Sequence, residues 1–222
     1  MSSHTRYNSE MHFPPLVESD QLGAPANPYA RSKLIAEQIL TDLTLADERW
    51  SIALLRYFNP VGAHSSGLIG ENPLGKPHNL LPFIAQVAVG RLSELLVYGD
   101  DYPTHDGAGV CDYIHVTNLP LGHLKALMKI SETKGVSVWN LGAGRGYSVF
   151  EVIHAFESVA GRKIPFRIVP RRAGDMAAHW SDPSKAELEL DWRAEKSIEQ
   201  MVSDTWRWQV NNPNGYGGKE SQ

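Results

Sequence analysis

The chain has 222 residues, 42% hydrophobic and 21% charged, and 21 basic against 25 acidic side chains give a net charge of −4. That length and balance suit one large or two small domains with a buried core, and they exclude a basic nucleic-acid surface. A single cysteine, Cys111, excludes an internal disulfide. The polar start MSSHTRYNSE is no signal-peptide core, and the longest apolar stretch, Leu80 to Val89, is too short to span a bilayer, so a cytoplasmic protein off the membrane is expected.

The first strong element opens at Asn27-Pro28, a helix cap followed by a first-turn proline, and Leu34, Ile35, Ile39, Leu40 and Leu43 then recur at helical spacing. The apolar run Ser51 to Phe58 reads as a buried parallel strand. A helix is expected from Asn79 to Val89, stopping at Gly90, with short strands at Leu95 to Gly99 and Asp112 to Val116. Thr117 caps the next helix, and Val136 to Gly142 is strand-like. Ser148 and Glu151 form a capping box before a helix that ends at Gly161. Pro165 to Pro170 is strand-like, Ser197 with Gln200 opens the last helix, and the tail after Asn211 is expected to fray. Alternating strands and helices give an α/β class.

Tyr29 and Lys33 stand four residues apart on the first helix and share a face. A free phenol titrates near 10, so only ~0.1% is ionised at pH 7. A neighbouring ammonium favours the phenolate and makes tyrosine a usable base. The plain alternative is a surface tyrosine beside a solvated lysine, and the spacing alone is a weak motif. Asn59-Pro60 ends a strand where ligands sit in parallel sheets, or makes an ordinary turn. His115 and His154 fall in core elements and read as structural histidines, Trp206 and Trp208 read as packing, and the nine histidines show no metal-ligand spacing.

Six ordered blocks, NPYARSK, LLRYFNPVGAH, the run from His78 to Arg91, DYIHV, NLGAG and PRRAGD, resemble the UDP-glucose 4-epimerases, which are extended short-chain dehydrogenases. The resemblance runs from about Ser2 to Tyr216 and covers the C-terminal two-thirds of such a protein. It implies a partial Rossmann-like parallel sheet, its N-terminal half missing, with a smaller substrate-binding lobe. Residues 1–62 would be a remnant of the NAD-binding domain carrying Y-x-x-x-K. Residues 63–216 would form mainly the UDP-sugar region, with some segments returning to the sheet, and 217–222 a frayed tail.

In that family NAD takes hydride from the sugar C4 position, the 4-keto sugar rotates, and hydride returns to its other face, interconverting UDP-glucose and UDP-galactose. The resemblance assigns Tyr29 as the base, Lys33 as the residue on the nicotinamide ribose, and Ser3 as a hydroxyl on the reacting oxygen. It puts Tyr57 and Phe58 near the nicotinamide and assigns Asn59, Asn79, Leu80, Leu96, Tyr98, Arg172, Asp175 and His179 to the UDP-sugar. Tyr98 could stack on uracil, while core packing is the plain alternative for Leu80, Leu96 and Tyr98. A homodimer is also implied.

The chain departs from the family pattern in having no G-x-x-G-x-x-G turn after a first strand; its Gly-rich run, Gly142 to Gly146, lies late and matches a segment that is not the pyrophosphate site. Cys111 replaces an arginine expected on the diphosphate. His179 stands where family members carry tyrosine or a smaller residue near the sugar C2 substituent. The rivals are another nucleotide-sugar dehydrogenase relative, a dehydratase or decarboxylase, and a non-catalytic UDP-sugar-binding or structural remnant.

Overall fold

The computed structural model describes residues 14–21, 23, 25, 27–172 and 174–217. In chain order its elements are α1 (Pro28–Ala46), β1 (Ser51–Tyr57), β2 (Asn59–Val61), α2 (Leu80–Ala88), β3 (Leu95–Tyr98), β4 (Val110–His115), α3 (Asn118–Ile130), β5 (Gly135–Leu141), β6 (Gly146–Ser148), α4 (Val149–Ala160), β7 (Phe166–Val169), β8 (Ala178–His179), α5 (Ser184–Leu190) and α6 (Ile198–Asn211). The molecule is α/β, as the alternating pattern predicts.

β1 and β5 run parallel, in register from Ser51 opposite Gly135 to Tyr57 opposite Leu141. A parallel pair needs cover on both faces, which explains the unbroken apolar run in β1. Its even positions, Ile52, Leu54 and Arg56, are buried, and Arg56 meets Glu37 of α1. Its odd positions, Ala53, Leu55 and Tyr57, pack with Ala126 of α3 and with Ala186 and Leu190 of α5. So α1 lies on one face of the pair, and α3 with α5 on the other. On the second edge of β1 no strand pairs among the described residues.

The chain then leaves this pair for a second sheet around β4, which takes β2 and β8 in parallel and β6 antiparallel. A parallel ribbon of β3 and β7 flanks it. Leu81 and Ile84 of α2, Ile153 and Phe156 of α4, and Met201 and Val202 of α6 close its core against Val97 and Tyr113.

The local stop and start signals act as read. The Asn27 side chain accepts from the Ala30 N–H at 2.9 Å. Both capping boxes form, at Ser148 with Glu151 and at Ser197 with Gln200, and Gly161 ends α4 at φ +64°. Thr117 precedes α3, but its hydroxyl goes to His115 Nδ1 at 2.8 Å instead of capping the helix.

Three expectations are corrected. Asn59-Pro60 neither ends β1, which stops at Tyr57, nor makes a turn but opens β2, a three-residue strand that, like β6 and β8, exists only through its partners. His154 is solvent-exposed on α4, not in the core. The tail after Asn211 is docked as far as Tyr216: its hydroxyl takes the Gly70 N–H at 2.9 Å, and its ring meets Trp208 edge-on at 5.7 Å.

Candidate active site

Asn27 and Pro28 start α1 so that Tyr29 stands in its first turn, 52% exposed, with Lys33 one turn on. Lys33 Nζ lies 5.1 Å from the Tyr29 ring centre, so the two share one face as the spacing requires. One further turn along, Glu37 anchors the helix. It accepts from Arg56 Nε at 3.0 Å and Nη2 at 2.6 Å. Arg56 also donates to the Glu18 carbonyl at 3.0 Å, and Glu18 Oε1 accepts the Asn140 N–H at 2.6 Å. Asn140 Nδ2 closes the chain on the Leu16 carbonyl at 2.9 Å. This buried network ties α1, β1, β5 and the segment before α1 into one unit that carries Tyr29 and Lys33. The sequence analysis assigned none of these four residues; the available signal was an arginine inside the apolar run of β1.

β1 and β5 both end at Tyr57 and Leu141, and the Phe58 N–H donates to the Leu141 carbonyl at 3.1 Å. Phe58 and Asn59 therefore stand at the carboxyl edge of the parallel pair, where such sheets bind ligands. Strand alternation separates the two proposed nicotinamide neighbours. Tyr57 turns toward α3, its ring 6.1 Å from His123, whereas fully buried Phe58 turns to the opposite face, against Leu16 and His179. The two residues that the resemblance puts near the nicotinamide thus stand on opposite faces of the strand.

His179 is buried, with its ring 6.3 Å from Phe58 at 25° and its Nδ1 3.9 Å from Cys111 Sγ. Cys111 bonds toward Tyr113 and Asn59, and burial pushes its thiol up to about 12, so it is neutral at pH 7. Burial likewise pushes the Tyr113 phenol well above the usual range. Phe58, Asn59, Cys111 and His179 thus form one cluster.

A second cluster lies on the β3–β7 ribbon. The Arg172 guanidinium stacks over Tyr98 at 4.4 Å, and its Nε bonds Asp175 Oδ2 at 2.9 Å. Leu96 shares the Tyr98 side of β3 and is half-buried. The Asp175 charge also raises the Cys111 pKa, which places the two clusters within electrostatic reach of each other. Asn79 precedes α2 but does not cap it; its Nδ2 donates to Glu71 at 3.0 Å. Leu80 is half-buried against the core, in keeping with the packing alternative. Ser3 lies outside the described residues. A cavity of about 10 Å³ between α2 and α6, no larger than a water molecule and lined by Gly62, Leu81, Thr205 and Trp208, touches none of the predicted site residues.

The Gly-rich run has a different task. Ala143 and Gly144 donate their N–H groups to the Asp112 carboxylate at 2.9 and 3.3 Å, and Ser181 adds its N–H at 3.1 Å and hydroxyl at 2.6 Å. Asp112 is fully buried, and burial holds its carboxyl above the usual range despite these four donors. The loop cradles an anion, but one belonging to the protein. His115 is equally structural. It is fully buried, and its Nδ1 accepts the Thr117 N–H at 3.1 Å, which leaves Nε2–H to donate to Asp204 at 3.2 Å. Burial lowers its pKa.

A family model described as GDP-mannose 4,6 dehydratase matches residues 2–205, through Y-x-x-x-K and both clusters. The chain belongs to that family. Among members of the GDP-mannose 4,6 dehydratase family it is similar to the UDP-glucose 4-epimerase of Bacillus subtilis (strain 168), 55% identical over 206 residues, 93% of this chain and 60% of the relative. The Drosophila melanogaster UDP-glucose 4-epimerase is 52% identical over 221 residues, 98% of this chain and 63% of the relative. The crystal structure of the Bifidobacterium longum UDP-glucose 4-epimerase in complex with NAD+ and UDP superposes with a TM-score of 0.93 at 54% identity, over 97% of this chain and 64% of that one. The chain thus spans about three-fifths of the length of the curated relatives it matches. In this family likeness the Rossmann-like character of the β1–β5 pair, expected from the sequence, is shown. Among the described residues no helix is long and apolar enough to cross a membrane, and no group of three or more His, Cys, Asp and Glu could hold a metal.

Proposed function

We propose that this chain carries the proton-transfer pair and the UDP-sugar region of a UDP-glucose 4-epimerase, which interconverts UDP-glucose and UDP-galactose with NAD. One observation carries the reading: the identity of 52–55% to such enzymes extends over nearly the whole chain, and Tyr29 and Lys33 share the exposed start of α1 within it. Residues 1–62 then belong to the NAD-binding part and 63–216 mainly to the UDP-sugar part, with β5 returning to pair with β1.

The residues present fit one end of NAD. Tyr29, Lys33 and Phe58 suit the nicotinamide and its ribose, whereas the N–H groups of the Gly-rich run are already spent on Asp112 and leave nothing for the pyrophosphate. When bound, NAD supplies the hydride acceptor and donor. The chain's own work is proton transfer and positioning. Tyr29 Oη takes the proton of the sugar C4 hydroxyl, with the Lys33 ammonium beside it on the same helix face. Ser3 is assigned to the same sugar oxygen. Asn59 and Asn79 offer amides to ribose and phosphate oxygens, Arg172 a guanidinium to the diphosphate, Asp175 a carboxylate to hydroxyls, and Tyr98 a face to uracil. Leu80 and Leu96 supply the apolar rim, and His179 stands by the sugar ring. The exposed side of α1, Ile35, Ile39 and Leu43, supports a helix-pairing role in a homodimer.

The family model's description favours a second reading, a nucleotide-sugar dehydratase. One experiment separates them. The chain is joined to the dinucleotide-binding part of a related epimerase and given UDP-galactose. UDP-glucose as the product supports epimerisation, and a 4-keto-6-deoxy sugar supports the dehydratase. The 222-residue chain alone is expected to retain little NAD.

A further inference from the structure

Two asparagines precede helices at cap positions, and they are used differently. Asn27 accepts the Ala30 N–H at the start of α1, whereas the Asn79 side chain makes no cap bond to α2. Asn79 instead donates Nδ2 to Glu71 Oε1 at 3.0 Å. An ionised carboxylate accepts and does not donate, so it dictates which end of the amide faces it and turns Asn79 Oδ1 the other way. Both residues are exposed, and a hydrogen bond between loose surface partners fixes little. Glu71 is not loose. The Tyr216 hydroxyl accepts the Gly70 N–H at 2.9 Å and donates to the Gly70 carbonyl at 3.1 Å, from 146 positions away. The Trp208 ring lies so close under Gly70 that a Cβ there would overlap it. On the other side of Glu71, the Asn72 amide packs on Gly215 with no room for a Cβ between them.

We infer that Glu71 is a positioning residue for the nucleotide sugar, and that the tail, residues 212–216, is the strap that holds it in place. The inference rests on the nucleotide-sugar reading above, which gives Asn79 to the UDP-sugar. The tail grips the residues on both sides of Glu71, Glu71 holds the Asn79 amide in one orientation, and Asn79 meets the ligand. An amide already oriented spares the ligand the cost of ordering that side chain on binding. The charge of Glu71 gives the inference a definite sign. A carboxylate near the place of a diphosphate repels it, so a merely solvated Glu71 would weaken binding and its removal would strengthen it. An orienting Glu71 does the reverse.

The test is calorimetric titration of the 222-residue chain with UDP. Glu71→Ala should weaken binding about two- to tenfold, the scale of one side chain left for the ligand to order. Glu71→Gln, whose amide oxygen still accepts from Asn79, should recover most of that loss. Tyr216→Phe keeps the ring on Trp208 but loses both bonds to Gly70, and should weaken UDP binding by a smaller factor. Neither Glu71→Ala nor Tyr216→Phe should cost anything further in an Asn79→Ala background, which has no amide to orient. If Glu71→Ala binds UDP as tightly as the natural chain or more tightly, Glu71 is a solvated acid. If its loss persists in Asn79→Ala, Glu71 acts on the ligand by another route. Either result overturns the inference and leaves the nucleotide-sugar reading standing. If the natural chain binds no UDP, that reading fails and takes the inference with it.

Discussion

Glu37 and Arg56 face each other across the contact between α1 and β1, 2.6 Å apart, with side chains 8% and 7% exposed. Removing one member strands a buried charge, which typically costs about 3–5 kcal/mol. Glu37→Ala is therefore expected to lower unfolding stability by that order in urea titration. The double change Glu37→Leu with Arg56→Met should recover most of the loss, because it leaves neither charge behind. A single variant within ~1 kcal/mol of the natural chain would show that the pair is not what holds α1 to the sheet.

Tyr29→Phe removes one oxygen from a half-exposed side chain and should leave the thermal transition unchanged. In the chain completed with a dinucleotide-binding part, the same variant should slow UDP-galactose conversion by about 10²–10⁴-fold, the usual weight of a positioned general base. Lys33→Met should also slow it, since the substitution removes the ammonium that stands 5.1 Å from the Tyr29 ring. Full activity of Tyr29→Phe would remove the base from this site.

The Cys111 thiol, raised to about 12, should resist alkylation. At pH 8 its thiolate fraction is ~10³-fold below that of a free thiol titrating near 8.5. Iodoacetamide labelling of the folded chain should be slower than in urea by about that factor. The linkage has a definite sign. The unfolded thiol loses its proton from pH ~8.5 upward while the folded one keeps it, so this group's contribution is intact below ~8.5 and falls as pH rises toward 12. A Cys111→Ala variant should show a flatter decline in stability between pH 8.5 and 10.

Cys111→Arg supplies a fixed cation beside His179 and Asn59. One charge-assisted hydrogen bond is worth roughly 1.5–3 kcal/mol, or about 10- to 100-fold in affinity. The completed protein should bind UDP at least tenfold more tightly with arginine at 111. Equal affinity would mean that Arg172 or another cation already neutralises the diphosphate.

Gly142→Ala should be the most damaging of the glycine changes in the Asp112 loop. A Cβ there would overlap Ser181 Oγ and Asp112 Oδ2, whereas at Gly161 nothing lies within 4 Å and only the φ of +64° objects. Overpacking of about 1–3 kcal/mol, with a similar cost for each donor pulled off Asp112, should put Gly142→Ala well below Gly161→Ala in melting temperature. Equal melting temperatures would show that the loop yields freely around Asp112.

Local chemistry was the most legible part of this fold. Asn27, the two capping boxes and Gly161 act within four residues of themselves, and all four were readable without a partner. The even–odd split of Tyr57 and Phe58 was also written in strand periodicity. The docked tail was not legible, because its anchor at Gly70 lies 146 positions away. Likewise α1 was read as amphipathic, but its apolar positions Ile35, Ile39 and Leu43 stay 37–54% exposed while charged Glu37 is buried, since burial follows where Arg56 waits rather than hydropathy alone. Of the candidate site, Tyr98, Arg172 and Asp175 were each named by the resemblance, but that Arg172 lies over the Tyr98 ring and pairs with Asp175 needed three dimensions.

The long reach of the β1–β5 pairing has a consequence for how the protein is made. The Ser51 hydroxyl finds its partner in the Thr133 carbonyl 82 positions later, and Glu18 meets Asn140 only after 122. Synthesis proceeds at about 5–20 residues per second, so an emerging β1 waits roughly 4–16 s for β5. Until α3 emerges just ahead of β5, its apolar run has α1 on one side and nothing on the other, an unfinished surface that invites capture by a chaperone or by a neighbouring nascent chain. Translation speed through residues 58 to 135 should therefore set the yield of folded protein, with pauses there more harmful than pauses after Leu141.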